Sequence, residues 1–209
     1  MHKRKVITRS GACVRGYFWS LKSRRLIPWE SQLERDGMLH IEFDPNVVRF
    51  REYQEEVWIG EGEDAFCAYP DLWTELRDKT IEIVEVKSNA ALADPQVTQR
   101  LTRIATHFER KGTRYRILAE RQIRNQPRLK NLEALATFRR PKAKERLQLD
   151  ADIREILKLR HSTTLGYVAT RLGSFARAQQ LVANGFLSTD LSLPLTPDTR
   201  VSVASGAQP

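Results

Sequence analysis

The sequence predicts an α/β protein with a central mixed sheet flanked by helices, followed by a small helical domain that ends in a hairpin. Three observations indicate this fold class: strand-like apolar runs after a first helical segment, a strand–helix–strand pattern in the middle, and a run of short helical patterns near the end. The expected divisions are a basic N-terminal arm at residues 1–28, a main domain at residues 29–146 and a C-terminal domain at residues 147–209 with a disordered tail.

Charge is unevenly distributed along the chain. The net charge is +9, yet residues 1–28 hold eight Lys and Arg and no Asp or Glu, and residues 102–146 hold fourteen against four. The remaining residues are therefore net acidic. Basic blocks attract polyanions, and phosphate neutralisation supplies most non-specific affinity for nucleic acid. The pattern favours a DNA-binding protein with an acidic centre, and the alternative is a solvated surface.

The basic arm interleaves cations with aromatic residues, which suits phosphate contact combined with stacking. A disordered tail is the alternative interpretation of this segment. Cations outside the arm fall on two helical segments, one in the main domain and one near the end of the chain. The candidate DNA-contact residues are Arg15, Lys22, Arg24, Arg25, Arg100, Arg103 and Arg177.

The main domain opens with a predicted short helix at residues 29–39. Glu30 and Glu34 lie four positions apart and share a face of this helix, and Gly37 is expected to weaken its end. Strand-like runs follow near residues 47–50, 56–60 and 65–73.

The run at residues 80–88 is the most informative segment. It is apolar on both faces, as is typical of a buried central strand. Side chains alternate along a strand, so Glu85 and Lys87 share one face. Charged groups are rarely buried unless they are paired or bind a metal, which indicates a chemical role for this acid and this base.

A helix is predicted to begin at Asp94-Pro95, because Asp caps helices and Pro suits the first helical position. An apolar stripe runs along this helix to Phe108, and Gly112 ends it. Another strand follows at residues 114–120. Strand, helix and strand in this order predict a crossover that joins two parallel strands.

Three carboxylates and a lysine are predicted to meet at one edge of the sheet. Asp71 and Glu85 form the natural pair for Mg²⁺, which prefers oxygen ligands, and Glu34 is a further ligand or holds a water. A metal here would acidify a bound water and neutralise the attacked phosphate. Lys87 would orient the water or stabilise the developing charge. The alternative is a solvated Glu–Lys pair.

Short motifs in this region resemble a known family. Pro70-Asp71 and Glu85-Val86-Lys87 resemble the PD-(D/E)xK signature of restriction-endonuclease-like nucleases. The order of the motifs across residues 28–120 is similar to that of the TnsA endonuclease subunit of heteromeric TnsA–TnsB transposons. Two further motifs carry this likeness: Glu30-Ser31-Gln32-Leu33-Glu34, and Phe43-Asp44-Pro45 with Val47, Phe50 and Gln54.

The resemblance implies a nuclease that uses Mg²⁺, with Mn²⁺ as a substitute, to cut the 5′ ends of a transposon. It implies Glu34, Asp71, Glu85 and Lys87 as catalytic residues and the Val86 backbone carbonyl as a further metal ligand. Implied partners are transposon-end DNA, a TnsB-type transposase that cuts and joins the 3′ ends, and a TnsC-type AAA+ regulator. The chain departs from the family in two positions: some members carry Gln where Glu85 stands, and many carry Pro where Glu55 stands.

Residues 147–209 contain three short helical patterns and then an alternating segment around a Pro-Asp turn, a hairpin signature. This order resembles a winged helix, whose third helix, carrying Arg177, is the candidate for contact with DNA. Winged helices also serve as protein docking modules, and both roles stay open.

Other features of the chain narrow the class. Cys13 and Cys67 match no zinc spacing, and no apolar run is long enough to span a membrane. The basic N-terminus lacks the apolar core of a signal peptide, so we expect a cytoplasmic protein associated with the bacterial nucleoid. Two other functions stay open: a stand-alone PD-(D/E)xK restriction or repair nuclease, and a catalytically inactive DNA-binding assembly module.

Overall fold

A computed structural model describes residues 14–139, 143–158 and 162–204. The chain forms two compact units, Met1–Arg124 and Asn125–Pro209. The boundary therefore differs from the expected one after residue 146.

The first unit begins with an antiparallel hairpin of β1 (Gly16–Ser20) and β2 (Arg25–Trp29). Ile27 of this hairpin is completely buried in the core. The expected arm is therefore a folded part of the unit over residues 16–28, because Ile27 and Phe18 pack into the core, although Tyr17, Trp19 and Leu26 stay exposed. Residues 1–13 of the expected arm lie outside the described residues.

Helix α1 (Gln32–Phe43) begins after Ser31, whose Oγ accepts a hydrogen bond of 3.1 Å from the Glu34 N–H. The helix continues past Gly37, so the expectation that this glycine weakens its end is wrong. A Cβ on Gly37 would lie 3.3 Å from the Val86 side chain and 3.4 Å from that of Leu118. This glycine therefore allows α1 to lie close to the sheet.

The next elements form the sheet and its crossover. In chain order they are β3 (Val47–Glu52), β4 (Val57–Ile59), β5 (Phe66–Ala68), β6 (Leu72–Leu76), β7 (Ile81–Lys87), α2 (Asn89–Ala93), α3 (Pro95–Arg110), β8 (Arg114–Ala119) and α4 (Glu120–Ile123). The four-stranded sheet has the order β3-β6-β7-β8. β6 is antiparallel to both neighbours, and β7 is parallel to β8. The predicted parallel crossover through α3 is confirmed.

β7 is covered on both faces, as the sequence predicts. Val84 and Val86 pack with Met38 on the α1 side, whereas Ile83 packs with Phe108 on the α3 side. The strands β4 and β5 form a separate antiparallel pair that contributes to the core on the α3 side. The α3 side is the face on which Glu85 and Lys87 lie.

The second unit is mainly helical, with a small sheet. Its elements are α5 (Arg128–Ala136), α6 (Ala143–Ile156), β9 (Thr163–Thr164), α7 (Leu165–Leu172), α8 (Phe175–Ala183), β10 (Leu187–Ser188) and β11 (Arg200–Val203). The sheet has the antiparallel order β10-β11-β9. α5 contacts α8, and its buried leucines are Leu129, Leu132 and Leu135. This packing brings α5 into the second unit and moves the boundary from the expected position.

The three predicted helices and the closing hairpin of the second unit are present. Across the described parts of both units, no helix is long and apolar enough to cross a membrane.

Candidate acidic site at the end of the central sheet

Asp71 lies immediately before β6, at the end of the sheet. The last residue pair between β6 and β7 is Leu72 with Val84. Continuing this antiparallel register by one step places Asp71 opposite Glu85. Asp71 Oδ2 accepts a hydrogen bond of 2.7 Å from the Val86 N–H, so the carboxylate takes the place of the backbone acceptor that β6 would otherwise supply. This contact fixes Asp71 beside Glu85.

Glu85 and Lys87 form an ion pair at the end of β7. Glu85 is 6% exposed, and the distance from Lys87 Nζ to Glu85 Oε1 is 2.5 Å. Glu85 and Lys87 therefore share one face of the strand, as predicted, and their side chains are in direct contact. A buried carboxylate of this kind needs a cationic partner, and the lysine provides it while remaining partly exposed.

Glu34 lies near these residues but is held by the start of α1. Its Oε2 accepts a hydrogen bond of 2.9 Å from the Glu30 N–H, and its Oε1 accepts one of 3.0 Å from Ser31 Oγ. Ser31 Oγ in turn accepts from the Glu34 N–H. The arrangement resembles a capping box, except that the Glu34 side chain bonds the N–H of Glu30 instead of that of Ser31. Glu34 therefore has a structural role, and it also adds negative charge to the site, as the pKa shifts of its neighbours show.

The crowding of acids changes the protonation of the site. Burial, followed by the charges of Glu85 and Glu34, raises the pKa of Asp71 well above its usual value. Burial also raises the pKa of Glu85, against the opposing effect of Lys87. For Lys87, burial opposes the charged form, but the carboxylates outweigh it and the pKa is raised. Lys87 is therefore a stable cation, and the site lacks enough positive charge for all of its acids.

The donor set fits a magnesium ion in part. Among the described residues, no three His, Cys, Asp or Glu side chains lie close enough together to hold one ion. The predicted set with Glu34 as a third ligand is thus not assembled, because the helix start holds its carboxylate. Mg²⁺ commonly takes one or two carboxylates, with waters and substrate phosphate as further ligands. Asp71 and Glu85 match that requirement.

The Val86 carbonyl is a suitable further ligand. The N–H and C=O of one residue in a strand point to the same side, and the Val86 N–H points to Asp71. Its carbonyl is thus directed to the Asp71 side, beyond the last pair of β6 with β7. Binding of a metal by this carbonyl stays a prediction.

Tyr115 is a site residue that sequence reasoning missed. It lies on β8 opposite Ile83, its ring stacks on Phe108 with centroids 5.6 Å apart, and its buried hydroxyl lies beside the Glu85 carboxylate, whose pKa this contact lowers. Burial and the neighbouring charges of Glu85 and Asp71 raise the pKa of this hydroxyl. A buried hydroxyl in contact with Glu85 is placed to hold this carboxylate in the orientation that a metal ion would need. The segment RYRILA gave no signal beyond an ordinary strand.

The predicted DNA-contact residues of the hairpin differ in their surroundings. Lys22 Nζ donates to the carbonyls of Asp44 and Val47, the latter at 2.6 Å, and therefore caps the end of α1. Arg25 forms an ion pair of 2.5 Å with Glu52. Arg24 is exposed at the hairpin turn with a φ of 52°. Arg15 is half-buried before β1. Of this group, Arg24 is the residue best placed for contact with phosphate.

The predicted DNA-contact residues on α3 and α8 also differ in their surroundings. Arg100 and Arg103 lie over the Phe66 ring at 4.3 and 4.8 Å, and Arg103 also donates a hydrogen bond of 2.8 Å to the Asp64 carbonyl. Arg177 instead donates through Nε to Asp152 at 2.8 Å, and its other nitrogens contact Asp152 and the Leu172 carbonyl. The structure therefore does not support Arg177 as a DNA contact, because packing within the second unit uses its guanidinium.

No protein-family model matches the chain, and a search of curated proteins finds no match. The assignment of a function therefore rests on the geometry of the acidic site and on the sequence motifs.

Proposed function

We propose that this protein is a metal-dependent DNA endonuclease subunit of a heteromeric transposase, which cuts the 5′ ends of the transposon. The observation that carries the proposal is the acidic site itself. Asp71 is anchored on Val86 opposite Glu85, and Lys87 contacts Glu85 at 2.5 Å. Packing alone does not call for two acids and a lysine at the end of a buried strand.

The chemistry follows from the charges of the site. A bound Mg²⁺ would neutralise charge on the attacked phosphate and make a bound water more acidic. Asp71, Glu85 and the Val86 carbonyl would hold the ion. Lys87 stays protonated because the carboxylates raise its pKa, so it acts as a fixed cation that orients the attacking water and stabilises negative charge developing on the phosphate. Glu34 shapes the field of the site from the start of α1.

We also propose a specific fold for each unit and two protein partners. A helix, three antiparallel strands, a crossover helix and a parallel strand support a restriction-endonuclease-like arrangement of the first unit. A helix, a strand, two helices and a closing hairpin support a winged-helix-like arrangement in the second unit. The partners proposed from the motifs are a TnsB-type transposase and a TnsC-type regulator.

A stand-alone PD-(D/E)xK nuclease is the second candidate. The same acids and lysine favour it, since hydrolysis at the site itself needs no partner. A catalytically inactive assembly module is the third candidate. The Lys87–Glu85 contact argues against it, because a binding module has no chemical need for a buried acid that is paired in this way.

The experiment that tests the proposal is reconstitution with the transposase of the same element on transposon-end DNA whose two strands carry different labels. Wild-type protein is expected to cut the 5′ strand when Mg²⁺ or Mn²⁺ is present. Asp71→Ala and Lys87→Ala should abolish this cut and retain cutting and joining of the 3′ strand. Glu109→Ala, at an exposed acid of α3, is the matched control and should cut normally.

Three other outcomes would each lead to a different conclusion about the site or the function. Intact 5′ cutting by both site variants would show that the assigned site is wrong. Cutting without the transposase would support the stand-alone nuclease. Salt-dependent DNA binding without any cutting would support the inactive module.

A further inference from the structure

A pocket lies next to the acidic site on the same face of the sheet. Trp73 and Ile83 are paired across β6 and β7 and line this pocket. Each lies two residues from an acid of the site, Trp73 from Asp71 and Ile83 from Glu85. Two residues along a strand span about 6.5 Å, so the pocket begins one step along the sheet from the two carboxylates.

The dimensions of the pocket suit a small planar group. Its volume is about 420 Å³, which falls within the range of pockets that hold small ligands. Aromatic residues form much of its wall: Trp58 on β4, Trp73 on β6, Phe108 on α3, and Tyr53, whose ring meets that of Phe108 edge to face. Trp58 is 62% exposed. Its neighbours Val57 and Ile59 are buried, so the Trp58 side chain lies on the outer face of β4, where its exposed indole offers a flat apolar surface at the edge of the pocket.

The polar groups of the pocket are those that recognise nucleotides. The Arg51 guanidinium lies 4.8 Å from the centroid of the Trp73 ring, and Lys111 adds a second cation at the mouth. His107 also lines the pocket, and its Nε2 is buried without a hydrogen-bond partner. Aromatic faces combined with cations are the usual platform for unpaired bases.

The acids at the pocket mouth agree with a base rather than with a phosphate. Glu55 and Glu56 both line the pocket, and Glu56 accepts a hydrogen bond of 3.0 Å from the Tyr69 hydroxyl. Carboxylates would repel a phosphate here, but they accept hydrogen bonds from the exocyclic amino groups of bases. The pocket thus joins stacking surfaces with acceptors for a base edge.

We propose that this pocket binds an unstacked nucleobase of the DNA substrate, adjacent to the phosphate that the acidic site holds. This inference rests on the proposed nuclease function for its substrate. Enzymes that modify a base extrude it into a pocket of stacked side chains, and proteins that bind single strands hold unpaired bases on aromatic faces in a similar way. Here the extruded base would fix the position of the strand relative to Asp71 and Glu85.

The test measures binding without hydrolysis. The full chain, without divalent metal, is titrated with a single-stranded oligonucleotide that carries 2-aminopurine, and the fluorescence of the probe and of tryptophan is recorded. A fully paired duplex of the same sequence is the comparison. Trp58→Ala should weaken single-strand binding at least about fivefold, from the range measured for base–aromatic stacking, and leave duplex affinity unchanged.

Two further variants keep the result decisive. Trp58→Phe retains an aromatic face and should keep most of the affinity. Val48→Ala removes an apolar side chain of β3 that is 43% exposed and lies outside the pocket, and it should bind like wild type. Equal single-strand affinity of Trp58→Ala and wild type would overturn the inference, as would an equal loss for single strand and duplex.

The binding test and the cutting test can fail independently, so their results distinguish the base pocket from the nuclease function. If Trp58→Ala binds normally while Asp71→Ala abolishes cutting, the base pocket is wrong and the nuclease stands. If Trp58→Ala weakens single-strand binding while Asp71→Ala cuts normally, the pocket binds bases but the assigned catalytic site is wrong.

Discussion

Asp71 Oδ2 and the Val86 N–H are joined by a hydrogen bond of 2.7 Å that continues the central sheet beyond its last paired residues. The contact links residues 15 positions apart and holds one carboxylate opposite another. The second carboxylate, Glu85, is 6% exposed and Asp71 is half-buried, so neither acid is fully solvated. Two carboxylates therefore lie side by side in a partly buried position, and a bound cation would neutralise their charge.

The first prediction concerns the stability of the protein without metal. The pKa of Asp71 is raised by burial, by Glu85 and by Glu34. A raised folded-state pKa gives stability that is complete below the unfolded value and is lost as pH rises through the folded value. Asp71→Asn keeps an acceptor for Val86 and removes the charge. Between pH 4 and pH 8, the melting temperature of wild type should therefore fall more than that of Asp71→Asn.

Added Mg²⁺ should restore part of the loss in wild type at pH 8, since a ligand that binds the folded state stabilises it. The same addition should have little effect on Asp71→Asn. Parallel pH profiles for the two proteins would contradict the assigned crowding of charge.

The second prediction concerns Tyr115. Tyr115→Phe keeps the ring that stacks on Phe108 and removes the hydroxyl that contacts Glu85. Loss of a group that orients metal ligands typically reduces metal affinity or activity about 10- to 100-fold. We expect a reduction of that size in 5′ cutting together with weaker Mn²⁺ binding, measured by calorimetry. Tyr17→Phe on the exposed face of β1 is the control, and wild-type behaviour of Tyr115→Phe would refute a role for the hydroxyl.

The third prediction concerns Arg177. Asp152 is 1% exposed, and Arg177 supplies its ionic partner while remaining 32% exposed in its side chain. Removing the partner leaves a buried charge, so Arg177→Ala should destabilise the protein by about 2–3 kcal/mol in urea unfolding. Arg154→Ala, at an exposed position on α6, should change little. Unchanged stability with weaker DNA binding would instead restore the predicted role of Arg177 in DNA contact.

The fourth prediction concerns pH and the second unit. Hydrogen bonds from Arg171 and Lys158 lower the pKa of Glu155 from 4.5 to about 2. A lowered pKa gives stability above the unfolded value that is lost as pH falls through the folded value. Glu155→Gln should melt below wild type at pH 7, and the difference should vanish as pH falls from about 4.5 towards 2. Asp198→Asn, at an exposed position, is the control, and a difference that persists at pH 2 would contradict this assignment.

The sequence predicted those features that depend on local pattern. The alternation in β7 placed Glu85 and Lys87 on one face, and Asp94-Pro95 marked the start of the crossover helix. Features set by distant partners were not predictable. Lys22 and Arg177 have the composition of DNA contacts, but carbonyls and a buried acid elsewhere in the fold take their hydrogen bonds.

Two site residues illustrate the same limit. Glu34 was predicted as a metal ligand from its order in the motif, yet the helix cap that holds its carboxylate depends on side-chain geometry. Tyr115 stayed hidden because a tyrosine in an apolar strand is typical of packing. Its proximity to Glu85 arises from the parallel pairing of β7 with β8.

The most direct test of the central claim is to locate the metal by local cleavage of the protein. Fe²⁺ is bound in place of Mg²⁺, ascorbate and peroxide are added, and the peptide fragments are mapped by mass spectrometry. We expect backbone cuts near Asp71 and near Glu85–Val86, suppressed by excess Mg²⁺ and absent in Asp71→Asn. Cuts confined to other regions, or an unchanged pattern in Asp71→Asn, would contradict the claim that these acids hold the metal.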